Sequence, residues 1–480
     1  MIAFDGKAGI AEIVAVARQG APVSVSDETR QVISSAHAHA RTLSEQIPTY
    51  GRTTGVGANR LIGVGDDDAE HGLRLLRSHA IDAGKPLPAV AVRAMLGVRL
   101  AQLCVPGSGI RPDVLDGLVD MLNSDALPTV LEYGSIGTGD LAALAGTALT
   151  LMGERPATRP LAPMKPWGAD SALPFMSSSA LTLGRGCLAV HELRSLVNAG
   201  LVVFALSFVG LRGNQSPLSA AAAAASASPG VADVAETLRG LLGEAGEAAR
   251  IQDPYALRAY PISLAPLVDA LNQLESLLSD LINTAQENPL FTRNNVVHHA
   301  GFHQAALGLK ADAVALALAQ GTPVTLSRIR LLSEPDYTGQ QAFLSASRPG
   351  ASGVMMVEYV AAAAHGELHA AAQPSSLTTA VLSRGAEEDA SFAPLAVAQL
   401  ENAVRALRAL LGCELLIAAR LLRQRGVSSA ELPTDALRRA FAATSEMSAD
   451  DDDRDLRPDL GIAQELLDAL AELAPMRADQ

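Results

Sequence analysis

Helical periodicity in the second half of this chain constrains its fold more than any other sequence feature. Alanine, leucine and valine recur there at positions i, i+3, i+4 and i+7. Several of these segments are long enough to cross a whole domain, because a helix rises about 1.5 Å per residue. No period-two strand series accompanies them, so the sequence predicts an all-α fold. The predicted helices span 178–210, 231–250, 262–288, 303–320, 353–372 and 393–425.

The length of the chain allows one large domain or two to three smaller ones with a well-buried core. The chain has 480 residues, 49% of them apolar, and a net charge of −14. An acidic chain without a basic stripe is not expected to bind nucleic acid. Cys104, Cys187 and Cys413 are too few and too far apart for a disulfide framework or a Cys-x-x-Cys site. With no signal peptide and no apolar run of about 20 residues, the protein is predicted to be cytoplasmic and not membrane-bound.

Two glycine-dense segments interrupt the helical pattern of the first half. Residues 49–65 hold five glycines, and residues 132–154 begin as a loop that becomes an Ala/Leu helix from about Asp140. Loops so rich in glycine adopt backbone angles closed to other residues or approach another group closely. Neither segment follows a predicted strand, which argues against a dinucleotide site. The proline-rich stretch 155–170, with Lys165–Trp167, predicts a surface connection or a domain boundary.

One histidine pair has the spacing of metal ligands on a helix. His365 and His369 lie four residues apart, with Glu367 between them on another side of the helix. No third ligand is evident, so no metal site is predicted.

Short motifs occur in a fixed order from about residue 25 to residue 430. This order and content resemble the histidine/phenylalanine ammonia-lyase family. The motifs are TYGRTTGVGANR (49–60), Ser78-His79-Ala80, Gly107–Pro112, GSIGTGDLAALA (134–145), Gln252–Arg258, Glu287–Leu290, Gly301–His303, Ser352-Gly353 and Glu387–Asp389.

The resemblance implies an architecture and an assembly. Residues 1–195 would form an N-terminal domain of short helices and Gly-rich loops that carries the catalytic tyrosine loop and the cofactor-type loop. Residues 196–480 would form a long antiparallel helix bundle. The family assembles as a homotetramer in which three subunits complete each site, and long Ala-rich helical faces with few charges are consistent with such contacts.

The resemblance also implies a reaction, the removal of ammonia from an L-amino acid to give an α,β-unsaturated acid. The family performs it with a methylidene-imidazolone (MIO), made autocatalytically from an Ala-Ser-Gly backbone segment. Tyr50 matches the base that takes the β-proton, and positive helix N-termini are the expected means of lowering its pKa. Tyr255 and Glu388 complete the implied catalytic set, with Glu388 facing the substrate amine or side chain.

The remaining matches imply substrate contacts. Arg258 would bind the carboxylate as a bidentate pair, beside Gln252. His79 would face the substrate side chain, Phe302 would wall the pocket, and Ser177 stands where the family has an asparagine. The alternatives are structural roles: Tyr50 as a packed loop residue, Arg258 in a buried ion pair and Phe302 as a core aromatic.

Three departures from the family pattern surround the prosthetic group. The loop is one residue shorter and contains Gly137-Thr138-Gly139 in place of Ala-Ser-Gly. Ser177 and Gly301 each replace an asparagine. If Thr138 dehydrated, the MIO-like ring would carry an ethylidene, which is more crowded; otherwise Thr138 stays an ordinary hydroxyl.

Three functions therefore remain open. The first is an amino-acid lyase or aminomutase with a ring derived from Thr138. The second is a homologue without the ring that eliminates a better leaving group or binds a small carboxylate. The third is a helical scaffold that retains only the fold. No exogenous cofactor is expected in any of them.

Overall fold

The computed structural model describes residues 1–65, 70–244 and 246–476, and α-helices carry its fold. The strands are only two to four residues long and form three two-stranded sheets. The all-α prediction is confirmed. β1 (Ile2–Phe4) pairs parallel with β2 (Val23–Val25), β3 (Ala83–Pro86) antiparallel with β4 (Leu131–Tyr133), and β5 (Leu290–Phe291) antiparallel with β6 (Val296–Val297).

The chain divides into two compact units. The first contains Met1–His191, Leu274–Asp312 and Pro374–Ala398, so the chain returns to it twice. The second contains Glu192–Gln273, Ala313–Gln373 and Gln399–Gln480. The predicted domains 1–195 and 196–480 stay a prediction.

Short helices build the first unit. They are α1 (Ile10–Arg18), α2 (Asp27–Ser44), α3 (His71–His79), α4 (Ala89–Leu103), α5 (Asp113–Asn123), α6 (Leu141–Leu151) and α7 (Ala169–Met176). Helix α2 begins where Ser26 Oγ accepts a hydrogen bond from the backbone N–H of Thr29 at 3.1 Å. Helix α4 is buried along nearly its whole length, and it forms the centre of this core.

A buried polar network fixes α4 against the segment that follows α7. The Arg99 guanidinium donates to Glu287 Oε1 at 2.8 Å and to the Phe175 carbonyl at 2.9 Å, and both charged side chains are fully buried. Ser178 Oγ donates to Gln102 Oε1 at 2.6 Å in the same network. These bonds set the position of residues 175–178, which lie beside the site described below.

The proline-rich stretch 155–170 lies at the surface, as predicted, and Trp167 is its one buried residue. Trp167 is only 1% exposed, and its ring packs edge-on against Phe175 with centroids 4.8 Å apart. Burying one large aromatic side chain anchors this surface stretch to the first unit's core.

Longer helices build the second unit. They are α8 (Ala180–Gly210), α9 (Ala220–Ala225), α10 (Pro229–Leu242), α11 (Tyr255–Arg258), α12 (Tyr260–Ile282), α13 (Ala305–Leu331), α14 (Pro335–Thr338), α15 (Met355–Ala371), α16 (Ala393–Gln424), α17 (Asp435–Ala443) and α18 (Arg457–Ala471), of which α8, α12, α13 and α16 also contribute residues to the first unit. A buried ion pair between Arg328 and Glu414 lies in its core, under the stacked rings of Phe204 and Tyr260.

Three predicted helix ends are wrong. Helix α12 ends at Ile282, in the first unit, and does not reach residue 288. Helix α10 ends at Leu242, where Gly243 takes the C-cap, and does not reach residue 250. Helix α13 continues through Pro323 to Leu331.

Within the described ranges, Ala169–Gly210 is apolar and long enough to cross a membrane. However, 83% of its most apolar 18-residue window is buried inside the protein, as in a core helix.

Candidate functional site

An open cavity of about 260 Å³ in the first unit brings the two glycine-dense loops together. Five predicted site residues line it: Tyr50, His79, Thr138, Ser177 and Phe302. The other lining residues are Val56, Gly57, Ala58, Asn59, Leu141, Leu173, Met176, Asn288, Ser383 and Glu387. Polar groups thus converge on an otherwise apolar pocket, which is the usual form of a small-molecule site.

Tyr50 presents its phenol to this cavity from the first glycine loop. The phenolic oxygen accepts a hydrogen bond from the Gly57 N–H at 2.7 Å, and the Tyr50 N–H donates to His298 Nε2 at 3.2 Å. Burial raises the pKa of Tyr50 above its usual value, and the Glu387 carboxylate raises it further; the Gly57 hydrogen bond and Arg60 oppose them. The expected lowering of this pKa by helix N-termini is therefore wrong for the single chain, since burial dominates.

A tight hairpin brings Glu387 and Ser383 to the cavity wall. Leu382 and Glu387 exchange backbone hydrogen bonds at 2.8 and 3.3 Å, and Ser383 and Arg384 between them both have positive φ. Ser383 Oγ accepts from the Ala58 N–H at 2.9 Å, which joins the hairpin to the tyrosine loop. A strained turn held by such contacts is typical of functional sites.

Ser177 and His79 occupy other parts of the wall and are held by local hydrogen bonds. Ser177 Oγ accepts from the Asn288 N–H at 3.1 Å and is 5% exposed. His79 Nδ1 lies 2.8 Å from the Leu75 carbonyl, which orients the imidazole at the end of α3. The Ser177 oxygen thus already accepts a hydrogen bond from the backbone, and its O–H group remains to donate to a ligand.

The residues of the cofactor-type loop do not fit an MIO group. Gly137 has a φ of +93°, and a Cβ there would lie 2.0 Å from Ser391 Oγ, so the alanine of the family pattern would be strained and would displace the Ser391 hydroxyl. The Gly137 carbonyl, whose oxygen must be lost for the ring to form, accepts from Ser391 Oγ at 2.9 Å and from the Gln304 N–H at 3.4 Å. Thr138 supplies a methyl group where the family has an unhindered carbon.

The other predicted site residues do not line this cavity in the chain. Gln252, Tyr255 and Arg258 belong to the second unit. There Tyr255 is 66% exposed, and the Arg258 guanidinium stacks on its ring at 4.4 Å. Glu388 is exposed, and its neighbour Glu387 takes the place on the cavity wall.

Sequence reasoning missed four polar residues of the wall. Asn59, Asn288 and Glu387 lie inside motifs that pointed to the family, so their positions were signalled without their roles. Ser383 lies outside those motifs, and only its contact with residue 58 reveals it.

For the histidine pair, the rings of His365 and His369 lie 4.3 Å apart, and no metal-binding group of three or more His, Cys, Asp or Glu occurs in the described part of the chain.

Comparison with known sequences places the chain among lyases. The family model for aromatic amino acid lyases matches residues 8–446. A histidine ammonia-lyase of Symbiobacterium thermophilum is 31% identical over 490 residues, covering 96% of this chain and 94% of the relative. A histidine ammonia-lyase of Deinococcus radiodurans is also 31% identical, over 95% of this chain and 91% of the relative.

Solved structures share the whole fold at lower identity. The ergothioneine degrading enzyme ergothionase from Treponema denticola, in complex with desmethyl-ergothioneine sulfonic acid, superposes with a TM-score of 0.89 at 23% identity, over 98% of this chain and 99% of that one. Tyrosine aminomutase from Streptomyces globisporus gives 0.91 at 24% identity, over 98% and 97%.

Proposed function

Because the chain belongs to the aromatic amino acid lyase family and is a carbon–nitrogen lyase, we propose that it eliminates an amine from an α-amino acid to give an α,β-unsaturated acid. The observation that carries the proposal is the cavity in which the Tyr50 phenol, held by the Gly57 N–H, faces Thr138 and Glu387. Histidine, which the relatives' names contain, is the first substrate to test, and the amine released from it would be ammonia.

The chain's own residues account for the proton transfer. The Tyr50 phenolate takes the proton from Cβ, the C–H electrons form the new double bond, and the C–N pair leaves with nitrogen. Tyr50 is protonated at neutral pH in the single chain, because burial and Glu387 raise its pKa. A positive group close to the phenol is needed to lower this pKa, and the substrate ammonium supplies one.

A homotetramer supplies the rest of the proposed site. Tyr255 and Gln252 are exposed, and Arg258 is stacked on the Tyr255 ring. We assign substrate carboxylate binding to Arg258 of the partner subunit, since a guanidinium pairs with a carboxylate in bidentate fashion. Glu388, predicted as catalytic, keeps that role only if assembly brings it to the site. The cytoplasm remains the proposed location.

A second candidate for the leaving group is a trialkylamine, and the loop around Thr138 favours it. The MIO-like ring is not part of the mechanism, because the loop lacks the serine and its Gly137 carbonyl is held by Ser391 Oγ. Without covalent activation, a base removes the acidic proton of a primary ammonium before a β-proton. A quaternary nitrogen carries no proton, so it remains a leaving group.

Turnover with a panel of substrates tests the proposal. L-Histidine, L-phenylalanine, L-tyrosine, N,N,N-trimethylhistidine and ergothioneine are each incubated with the protein, and the growing ultraviolet absorbance of the unsaturated acid is followed. Tyr50→Phe is expected to lower kcat by about 10²–10⁴-fold. Tyr133→Phe, at a 72% exposed position, is the control and should leave kcat unchanged. Full activity of Tyr50→Phe would show that another group is the base.

A further inference from the structure

The backbone of the cofactor-type loop is held by groups from two distant segments. Ser391 Oγ donates to the Gly137 carbonyl at 2.9 Å, and the Phe392 N–H donates to the Ile136 carbonyl at 2.8 Å. The Gln304 N–H lies 3.4 Å from the same Gly137 oxygen. Ser391 and Gln304 are 6% and 4% exposed. Water therefore has little access to these two residues and cannot readily replace the Gly137 carbonyl as their hydrogen-bond acceptor.

Hydrogen bonds within the loop tie its two glycines as well. Ser135 Oγ donates to the Gly139 carbonyl at 3.2 Å and accepts from the Gly137 N–H at 3.4 Å. After Gly139, the Asp140 N–H donates to the Ser178 carbonyl at 2.7 Å, and the Asp140 carboxylate accepts from the Thr182 N–H at 2.8 Å. Both ends of the tripeptide are thus anchored as ordinary amides.

Cyclisation would disrupt these contacts. The Gly139 nitrogen would have to attack the Gly137 carbonyl carbon, and the Gly137 oxygen would then leave as water. The buried Ser391 hydroxyl and Gln304 N–H would lose their acceptor, and a buried donor without a partner is costly. The second water would have to come from Thr138, with its methyl group left on the alkene.

From this arrangement we infer that Gly137-Thr138-Gly139 remains an open peptide, locked by Ser391 and Gln304, and that the Thr138 hydroxyl is retained on the cavity wall. This deepens the proposed function, on which its substrate part rests: the enzyme acts on α-trialkylammonium acids in preference to primary amino acids. In that reaction Tyr50 takes the β-proton and the neutral trialkylamine leaves with the C–N electron pair. No oxidant or co-reactant is consumed.

Mass measurement of the loop tests the inference independently of activity. Cleavage at methionine releases the fragment between Met121 and Met152, which contains the whole loop. The wild-type fragment and the intact protein are expected at their calculated masses. Thr138→Ala, which has no hydroxyl to lose, is the reference, and the two fragments should differ only by the side chain replaced. A wild-type mass lower by two waters overturns the inference, whatever the protein's activity.

A second variant separates the backbone lock from the missing serine. Thr138→Ser restores the hydroxymethyl group, and it is expected to keep its full mass because the lock is unchanged. If this variant loses two waters while the wild type does not, the threonine methyl alone keeps the loop open, and the role assigned to Ser391 and Gln304 is wrong.

Kinetics then test the substrate part with unmodified protein. We expect a higher kcat/KM for N,N,N-trimethylhistidine than for L-histidine, with release of trimethylamine. Equal or faster release of ammonia from L-histidine overturns this preference while leaving the open loop intact. Turnover of neither substrate, at a full mass, counts against the proposed substrates and not against the loop.

Discussion

Replacing Gly137 by alanine tests the loop geometry that excludes the ring. Alanine at a φ of +93° costs about 1–2 kcal/mol, the usual penalty of a left-handed backbone for an L-residue. The new Cβ would also lie 2.0 Å from Ser391 Oγ, and such overpacking costs about 1–3 kcal/mol. We therefore expect Gly137→Ala to lower the free energy of unfolding by about 2–5 kcal/mol.

A double-mutant cycle with Ser391 isolates the steric part. Ser391→Ala alone removes one hydrogen bond to the Gly137 carbonyl and should cost about 0.5–1.5 kcal/mol. In the double variant Ser391 Oγ is absent, so the new Cβ no longer overlaps with it. The losses of the two single variants should therefore sum to about 1–3 kcal/mol more than the loss measured for the double variant. Gly339→Ala is the matched control: its φ is +69°, but its Cβ would meet nothing within 4 Å.

Urea unfolding at a fixed protein concentration, followed by circular dichroism, measures all four variants. Unchanged m-values are needed for the comparison, because a changed slope indicates a different unfolding transition. If the Gly137 and Ser391 losses add within about 0.5 kcal/mol, the two residues are not in contact as described, and the argument against the ring loses its steric support.

Two further predictions concern charges around the cavity. Glu387→Gln should shift the rising limb of the pH–rate profile to lower pH, because the Glu387 carboxylate raises the pKa of Tyr50, which acts as phenolate. Glu388→Gln, at an exposed neighbouring position, is the control and should shift this limb less. An equal shift in the two variants would contradict the placement of these two side chains. Arg99→Ala should lower the free energy of unfolding by about 3–5 kcal/mol, because it leaves the buried Glu287 carboxylate without its counter-charge. Arg77→Ala, which removes a solvent-exposed ion pair, should shift the urea midpoint far less.

Much of the fold could be predicted from the sequence, because its signals are local. Helical periodicity needs only a few turns of chain to be visible, and all six predicted long helices begin within two residues of the observed ones. The failures have tertiary causes. Helix α13 continues past the predicted stop because its residues beyond 320 pack in the second unit's core, where Thr325 and Arg328 are buried. Trp167 is buried because a neighbouring aromatic ring receives it.

The candidate site could be predicted only in part. Tyr50, His79, Thr138, Ser177 and Phe302 share one cavity, as the motif resemblance suggested they would, while their chemical roles stay predictions. The choice between Glu387 and Glu388 could not be made from sequence. Adjacent residues of a hairpin project in different directions, and which one meets the pocket depends on a turn whose positive φ angles no motif announced.

The sequence by itself determined the helical class, the family and the absence of a serine at residue 138, because each is written in consecutive residues or in short motifs. Only the tertiary structure decided whether the Gly137 carbonyl is free to react. Its acceptor oxygen is bound by Ser391, 254 residues further along the chain. A contact of that separation forms only when packing brings two segments together, and no local pattern in either segment specifies it.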